Sequence, residues 1–213
     1  MQPRRAFKTP AAPTSGREPV WYYHGTQTAV DRLPDPRLDP NLALGGDTGD
    51  PTNPDGSIKP HVFLTPNLLD AQMYSLGIRR GNLVIKNLNA GTSQLVFLET
   101  PEFDQPGYVY AFDKRQHAPF EETYAHGQRT GKFAAFEYLD VSQGPIEVVR
   151  GIRGLLQTTS VQAYVLDSPK EARSLVAAWR SHVEVGSEPI KEFFDKSVRQ
   201  GRLNHLNRAY GLT

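Results

Sequence analysis

Every strand-like segment of this chain is short, and glycine or proline separates most of them from the next. The segments are Val20–Tyr23, His61–Leu64, Leu83–Ile85, Leu95–Leu98, Tyr108–Phe112, Ala134–Leu139, Ile146–Val149 and Gln162–Leu166. Such punctuation favours antiparallel pairing through turns and disfavours a doubly wound sheet, whose parallel strands need long helical crossovers. The 18 Gly and 17 Pro among 213 residues, with 38% apolar residues, imply many loops. The length is still ample to bury a core. No apolar run reaches the roughly 18 residues of a membrane-spanning helix, and the basic start lacks a signal peptide's hydrophobic stretch, so a soluble protein is expected. There is no cysteine, which excludes disulfides, thiolate metal sites and a cysteine nucleophile. A formal charge of +1 gives no global electrostatic case for a nucleic-acid or membrane partner.

Residues 1–19 mix Arg4, Arg5, Lys8 and Arg17 with Pro, Ala, Ser and Gly, too polar and proline-broken for a core, and read as a flexible basic arm. A domain is expected over 20–150 and a C-terminal helical extension over 151–213. Between Asp35 and Pro60 the chain is dense in Pro, Asp, Asn and Gly and shows no sustained period, the composition of a functional loop. After it, Thr65 and Pro66 suit the N-cap and first residue of a helix that carries Leu68, Leu69, Met73 and Tyr74 and stops near Gly77. In the extension, Ser168-Pro169-Lys170-Glu171 reads as a capping box, and a further helix is expected from Pro189 to Gln200.

Three segments carry chemistry. Tyr22-Tyr23-His24-Gly25-Thr26 sets an imidazole at a strand end, beside backbone that a ligand can approach because Gly25 has no Cβ. Phe63 on the next strand and Tyr74, eleven residues on and well into the helix, can converge on one cleft and sandwich a flat heteroaromatic ring. Glu137 in Phe136-Glu137-Tyr138-Leu139 is a carboxylate in an otherwise apolar segment, on the opposite face from Phe136 and Tyr138 if the segment is extended. Such a group costs stability unless solvated or paired, which suits a cleft wall. Taken singly, each of these residues has a plain structural reading: a turn histidine, two core aromatics and an exposed edge acid. His117, His126 and Glu121-Glu122 match no compact metal-ligand spacing, and no metal site is assigned.

Taken together and in this order, the three segments resemble the ADP-ribosyltransferase superfamily, in its His-Tyr-Glu branch, which includes diphtheria toxin and the poly(ADP-ribose) polymerases. The resemblance spans residues 20–149. It implies an α+β fold with a split antiparallel sheet core, flanking helices and NAD as co-substrate. It assigns NAD binding to His24, Gly25 and Thr26, stacking on the nicotinamide to Phe63 and Tyr74, and contact with the nicotinamide ribose to Glu137, with His24, Tyr74 and Glu137 as the catalytic set. Phe63 stands where the family usually has tyrosine, which keeps the stacking face and loses a hydroxyl. Ala135, two residues before Glu137, replaces the second carboxylate of the arginine-modifying branch, so an arginine acceptor is disfavoured.

The chemistry suits these residue types. Breaking the N-glycosidic bond of NAD expels neutral nicotinamide and leaves positive charge on the ribose, as in glycoside hydrolysis. An anionic Glu137 would stabilise that charge or activate the incoming hydroxyl. The resemblance further implies a macromolecular acceptor, protein or nucleic acid, a delivered bacterial effector or toxin as the setting, and a neutralising partner protein in the producer. It places Asp35–Pro60 over the donor, with Arg37, Lys59 or Arg79 near the pyrophosphate, and acceptor recognition in Glu121–Lys132, read as an exposed loop. The alternatives are NAD hydrolysis and a non-catalytic NAD or ADP-ribose binding module.

Overall fold

The computed structural model describes residues 20–33, 61–77, 83–88, 92–97, 105–117, 119–125, 128–166 and 195–212. The basic arm, the Asp35–Pro60 loop, Arg79 and the capping box at Ser168 lie outside the described residues. The fold is mixed α+β, with small, mostly antiparallel sheets and few helices. In chain order the elements are β1 (Trp21–Thr26), β2 (Val62–Leu64), α1 (Leu68–Ser75), β3 (Leu83–Leu88), β4 (Thr92–Phe97), β5 (Pro106–Asp113), β6 (Glu121–Ala125) and β7 (Gln128–Ala135). Then follow β8 (Glu147–Arg150), α2 (Gly151–Thr158), β9 (Gln162–Leu166), β10 (Leu203–His205) and α3 (Leu206–Ala209). No helix among the described residues is long and apolar enough to cross a membrane.

The chain divides into two compact units, and the division differs from the expected one: Leu76–Pro106 groups with Val149–Thr213, while Met1–Ser75 and Gly107–Val148 form the first unit. In the first unit, β1 lies antiparallel to β5, Trp21 opposite Asp113 through Thr26 opposite Tyr108, and β8 is the third strand of that sheet. A second three-stranded sheet runs β2-β7-β6, all antiparallel. Between the sheets lies a core of Tyr22, Val62, Leu64, Tyr110, Phe112, Phe120, Ala135 and Leu139, with Phe133 packed against it. Tyr22 meets Phe120 and Phe133 edge-on at centroid distances of 5.1 and 4.8 Å, the favourable quadrupole arrangement for aromatic pairs. The two sheets join at one isolated bridge, where Tyr23 N donates to Thr65 O at 2.8 Å and Thr65 N to Tyr23 O at 2.9 Å.

That bridge corrects the expected helix start. The helix begins later than expected, at Leu68: the Thr65 backbone pairs with β1 and its hydroxyl accepts from Asn67 N at 3.1 Å, while Asn67 caps the helix through Oδ1, which accepts from Leu69 N at 3.0 Å. The helix ends as expected, with Gly77 at φ 72, the left-handed region that glycine enters without penalty. A hairpin of β6 and β7 replaces the loop expected over Glu121–Lys132.

The second unit is not simply a helical appendage. Its four-stranded sheet has the order β10-β9-β4-β3, with β4 and β9 parallel in the register Gln94 opposite Gln162 to Phe97 opposite Val165. Of the helix expected over Pro189–Gln200, residues 195–199 are helical and 189–194 lie outside the described residues. Asn207, buried on α3, accepts from Ala163 N at 2.6 Å and donates to Val161 O at 3.1 Å, so one side chain satisfies two backbone groups where β9 begins.

His205 caps α3 by accepting from Arg208 N through Nδ1 at 3.4 Å. Burial, aided by the positive Arg208, holds its pKa below the ordinary 6.5. The unfolded chain therefore takes up this proton first, and the stabilisation present above pH 6.5 is lost as the pH falls below it. Acidification from pH 7.5 to 5.5 should lower the thermal midpoint more in wild type than in His205→Asn, which keeps a capping side chain without the titration. Equal slopes in the two proteins would count against this origin.

Candidate ring-binding site

The site lies where β1 and β2 part. His24 is on β1, and its Nδ1–H donates to the carbonyl of Phe63 on β2 at 2.9 Å. A carbonyl only accepts, so this bond fixes the proton on Nδ1 and leaves Nε2 as the acceptor of the neutral ring. Together with the Tyr23–Thr65 bridge, it ties Tyr23-His24 to Phe63–Thr65. The two strands diverge beyond these bonds, and the opening is a cavity of about 160 Å³ lined by Tyr23, His24, Gly25, Phe63, Leu64, Thr65, Tyr74 and Lys132. A cavity near 150 Å³ is enough to hold benzene, so this one fits a single six-membered aromatic ring.

Each wall has a local cause. Phe63 is held by His61, buried to 2% exposure, whose ring meets it edge-on at 4.4 Å and 83°. Tyr74 is placed by α1, which packs against β1 so closely that only glycine is tolerated beneath it. A Cβ on Gly25 would overlap the Ala71 carbonyl oxygen and lie 2.8 Å from Ser75 N. At Gly107 on β5 it would overlap the backbone and hydroxyl of Ser75. The absent Cβ of Gly25 thus makes room for α1 and not, as expected, for a ligand, although Gly25 also borders the cavity. The third strand of the β1-β5-β8 sheet also holds α1, through Gln72, whose Nε2 donates to both carboxylate oxygens of Glu147 on β8, at 3.0 and 2.9 Å. Thr65 accepts from Asn67 N at 3.1 Å and donates to Asp70 at 3.5 Å, which sets an acid one hydrogen bond behind the lining. Burial raises the pKa of the Tyr23 phenol above its ordinary value, so it stays a neutral donor.

Lys132 is the one lysine or arginine on the wall among the described residues. Its ammonium stands 5.0 Å from the ring centre of Phe63 and 5.4 Å from that of Tyr74.

Comparison with protein-family models, curated proteins and solved structures finds no match for this chain.

Four residues singled out in the sequence, His24, Gly25, Phe63 and Tyr74, meet at this one cavity. Two others do not line it. Thr26, at the end of β1, accepts from Thr28 N at 3.4 Å. Glu137 is not on a strand: β7 ends at Ala135, and Glu137 sits exposed on a bend beside Tyr138, itself 61% exposed. The chain leaves the sheet there because Leu139 is fully buried and its N–H donates to Leu33 O at 2.8 Å, a different partner from the strand that β7 follows. Ala134 pairs with Phe63, and Glu137 follows three residues later, past the end of β7.

Tyr23 was not singled out as a site residue, and Lys132 was placed only at the end of the acceptor-recognition segment Glu121–Lys132, not at the ring site. Tyr23 sits inside the aromatic strand motif and had no distinguishing signal. Lys132 did have one: Gly131 interrupts the strand pattern just before it, and an internal strand glycine marks a bulge.

Proposed function

We propose that the first unit binds NAD with its nicotinamide ring in this cavity, and that it cleaves the N-glycosidic bond and transfers ADP-ribose to a macromolecular acceptor. The observation that carries this reading is the convergence of His24, Phe63 and Tyr74, from three separate elements, on one ring-sized cavity at the junction of the β1-β5-β8 and β2-β7-β6 sheets. The split of the sheets supports it, since the ADP-ribosyltransferase resemblance implies such a core.

In this reading Phe63 and Tyr74 supply apolar faces for the leaving group, and Nε2 of His24 accepts from a ribose hydroxyl or the carboxamide. Glu137 acts outside the ring cavity, at the ribose, where positive charge develops as nicotinamide departs. Its exposed bend leaves the carboxylate open to the medium from which an acceptor arrives.

The placement of Glu137 also favours a second reading, a module that binds NAD or ADP-ribose without breaking it. Both readings require NAD to bind. His24→Ala should weaken NAD binding about tenfold, the value of one lost hydrogen bond with its share of site order. Calorimetric titration of NAD into both proteins tests this, and an unchanged affinity would remove the cavity from either reading.

A further inference from the structure

The two aromatic rings of the cavity share one cation, and it belongs to the protein. Lys132 Nζ lies over the ring of Phe63 at 5.0 Å and over that of Tyr74 at 5.4 Å, both within the range of a cation–π contact. The backbone is built to bring the side chain there. Along β6 and β7 the pairing is Glu122 opposite Phe133 and then Tyr124 opposite Arg129, so residues 130–132 oppose Thr123 alone. A bulge of this kind re-aims the side chains that follow it. Thr123, 4% exposed, donates its hydroxyl to the Lys132 carbonyl at 3.1 Å and pins the bulged strand at that residue.

We infer that Phe63 and Tyr74 form a receptor for an organic cation, and that Lys132 is its built-in competitor, which a cationic ring must displace and a neutral ring need not. Resting on the NAD reading, this makes Lys132 the residue that sets how strongly the cavity prefers the neutral ring of released nicotinamide over the pyridinium of NAD. Two aromatic faces stabilise a positive charge placed over them, whichever molecule carries it. A pyridinium entering while the ammonium stays would set two like charges side by side in a half-buried cavity, which is unfavourable. Discrimination against a cationic ring is therefore greatest with Lys132 present and falls when its charge is removed.

The test is binding of three probes, neutral nicotinamide, the N-methylnicotinamide cation and tetramethylammonium, to wild type and to Lys132→Met. Methionine keeps an apolar, flexible stem and removes the charge. Both cations should bind Lys132→Met more tightly than wild type by about five- to thirtyfold, the equivalent of the cation–π contacts released. Neutral nicotinamide should change by less than about threefold on the same scale. Lys132→Arg, which keeps a positive charge, should retain the wild-type preference for the neutral ring. A variant that binds cations no better than wild type, or that gains equally for neutral and charged probes, overturns the inference. The NAD reading fails separately: if tetramethylammonium gains affinity in Lys132→Met while neither protein binds NAD, the cation receptor stands and the dinucleotide assignment falls. If NAD binds and the charge preference is the same in both proteins, the outcome is the reverse.

Discussion

Gly25→Ala is expected to destabilise the first unit by about 3 kcal/mol or more and to abolish ring binding with it. The added methyl would overlap the carbonyl oxygen of Ala71 and press on Ser75 N, and these are helix backbone atoms, not the end of a side chain that can turn aside. Relief requires α1 to move away from β1. That motion strains the Gln72–Glu147 hydrogen bonds and carries Tyr74 off the cavity wall, so a change at a residue with no side chain should be read at a ring one element away. Thermal unfolding should shift by on the order of 10 °C, and NAD titration should show no saturable binding. A variant that unfolds within about 2 °C of wild type would mean that α1 tolerates the displacement and that the close contact of helix and strand is not what fixes the site.

This close contact was legible only in part. His24, Gly25, Phe63 and Tyr74 were found because each sits in a locally declared element: an aromatic strand, a short apolar strand, a helix with a stop at Gly77. The purpose of Gly25 was misread, because a sequence shows that a Cβ is missing and not which neighbour needs the space. The hairpin of β6 and β7 was hidden for another reason. The sequence of its strands includes Glu121, Gln128 and Arg129, and the buried Thr123 is polar, so the alternation that would announce a strand is weak until Phe133. Lys132 reaches the ring site through three residues opposing one, and Gly131 was its only local trace. The second unit was least legible. The parallel pairing of β4 with β9 joins residues 94–97 to 162–165, and no local period announces a partner that distant. The run Phe136–Leu139 carried the opposite error: it read as a continuing strand, whereas Leu139 is buried and pairs with Leu33, and Glu137 and Tyr138 before it are exposed.

Glu137→Gln should lower the rate of nicotinamide release by about 10²–10⁴ while leaving NAD affinity and thermal stability close to wild type. The exposed bend makes the substitution structurally mild, since Glu137 packs into no core and its amide isostere keeps the shape. The rate is a different matter. Departure of nicotinamide develops positive charge on the ribose, and a neutral amide at that point offers none of the compensating field of a carboxylate. Glu121→Gln is the informative partner, because Glu121 pairs with Ala134, which pairs with Phe63, and so occupies the same cross-strand row as the ring-bearing position. Loss of activity in Glu121→Gln with Glu137→Gln unaffected would move the acid to β6. Labelled NAD in a cell lysate separates the remaining cases: label on a polymer in wild type and none in Glu137→Gln supports transfer, and NAD loss without a labelled polymer supports hydrolysis. NAD binding with no turnover in wild type would leave the binding module, with an acid on a bend too far from the ribose to act on it.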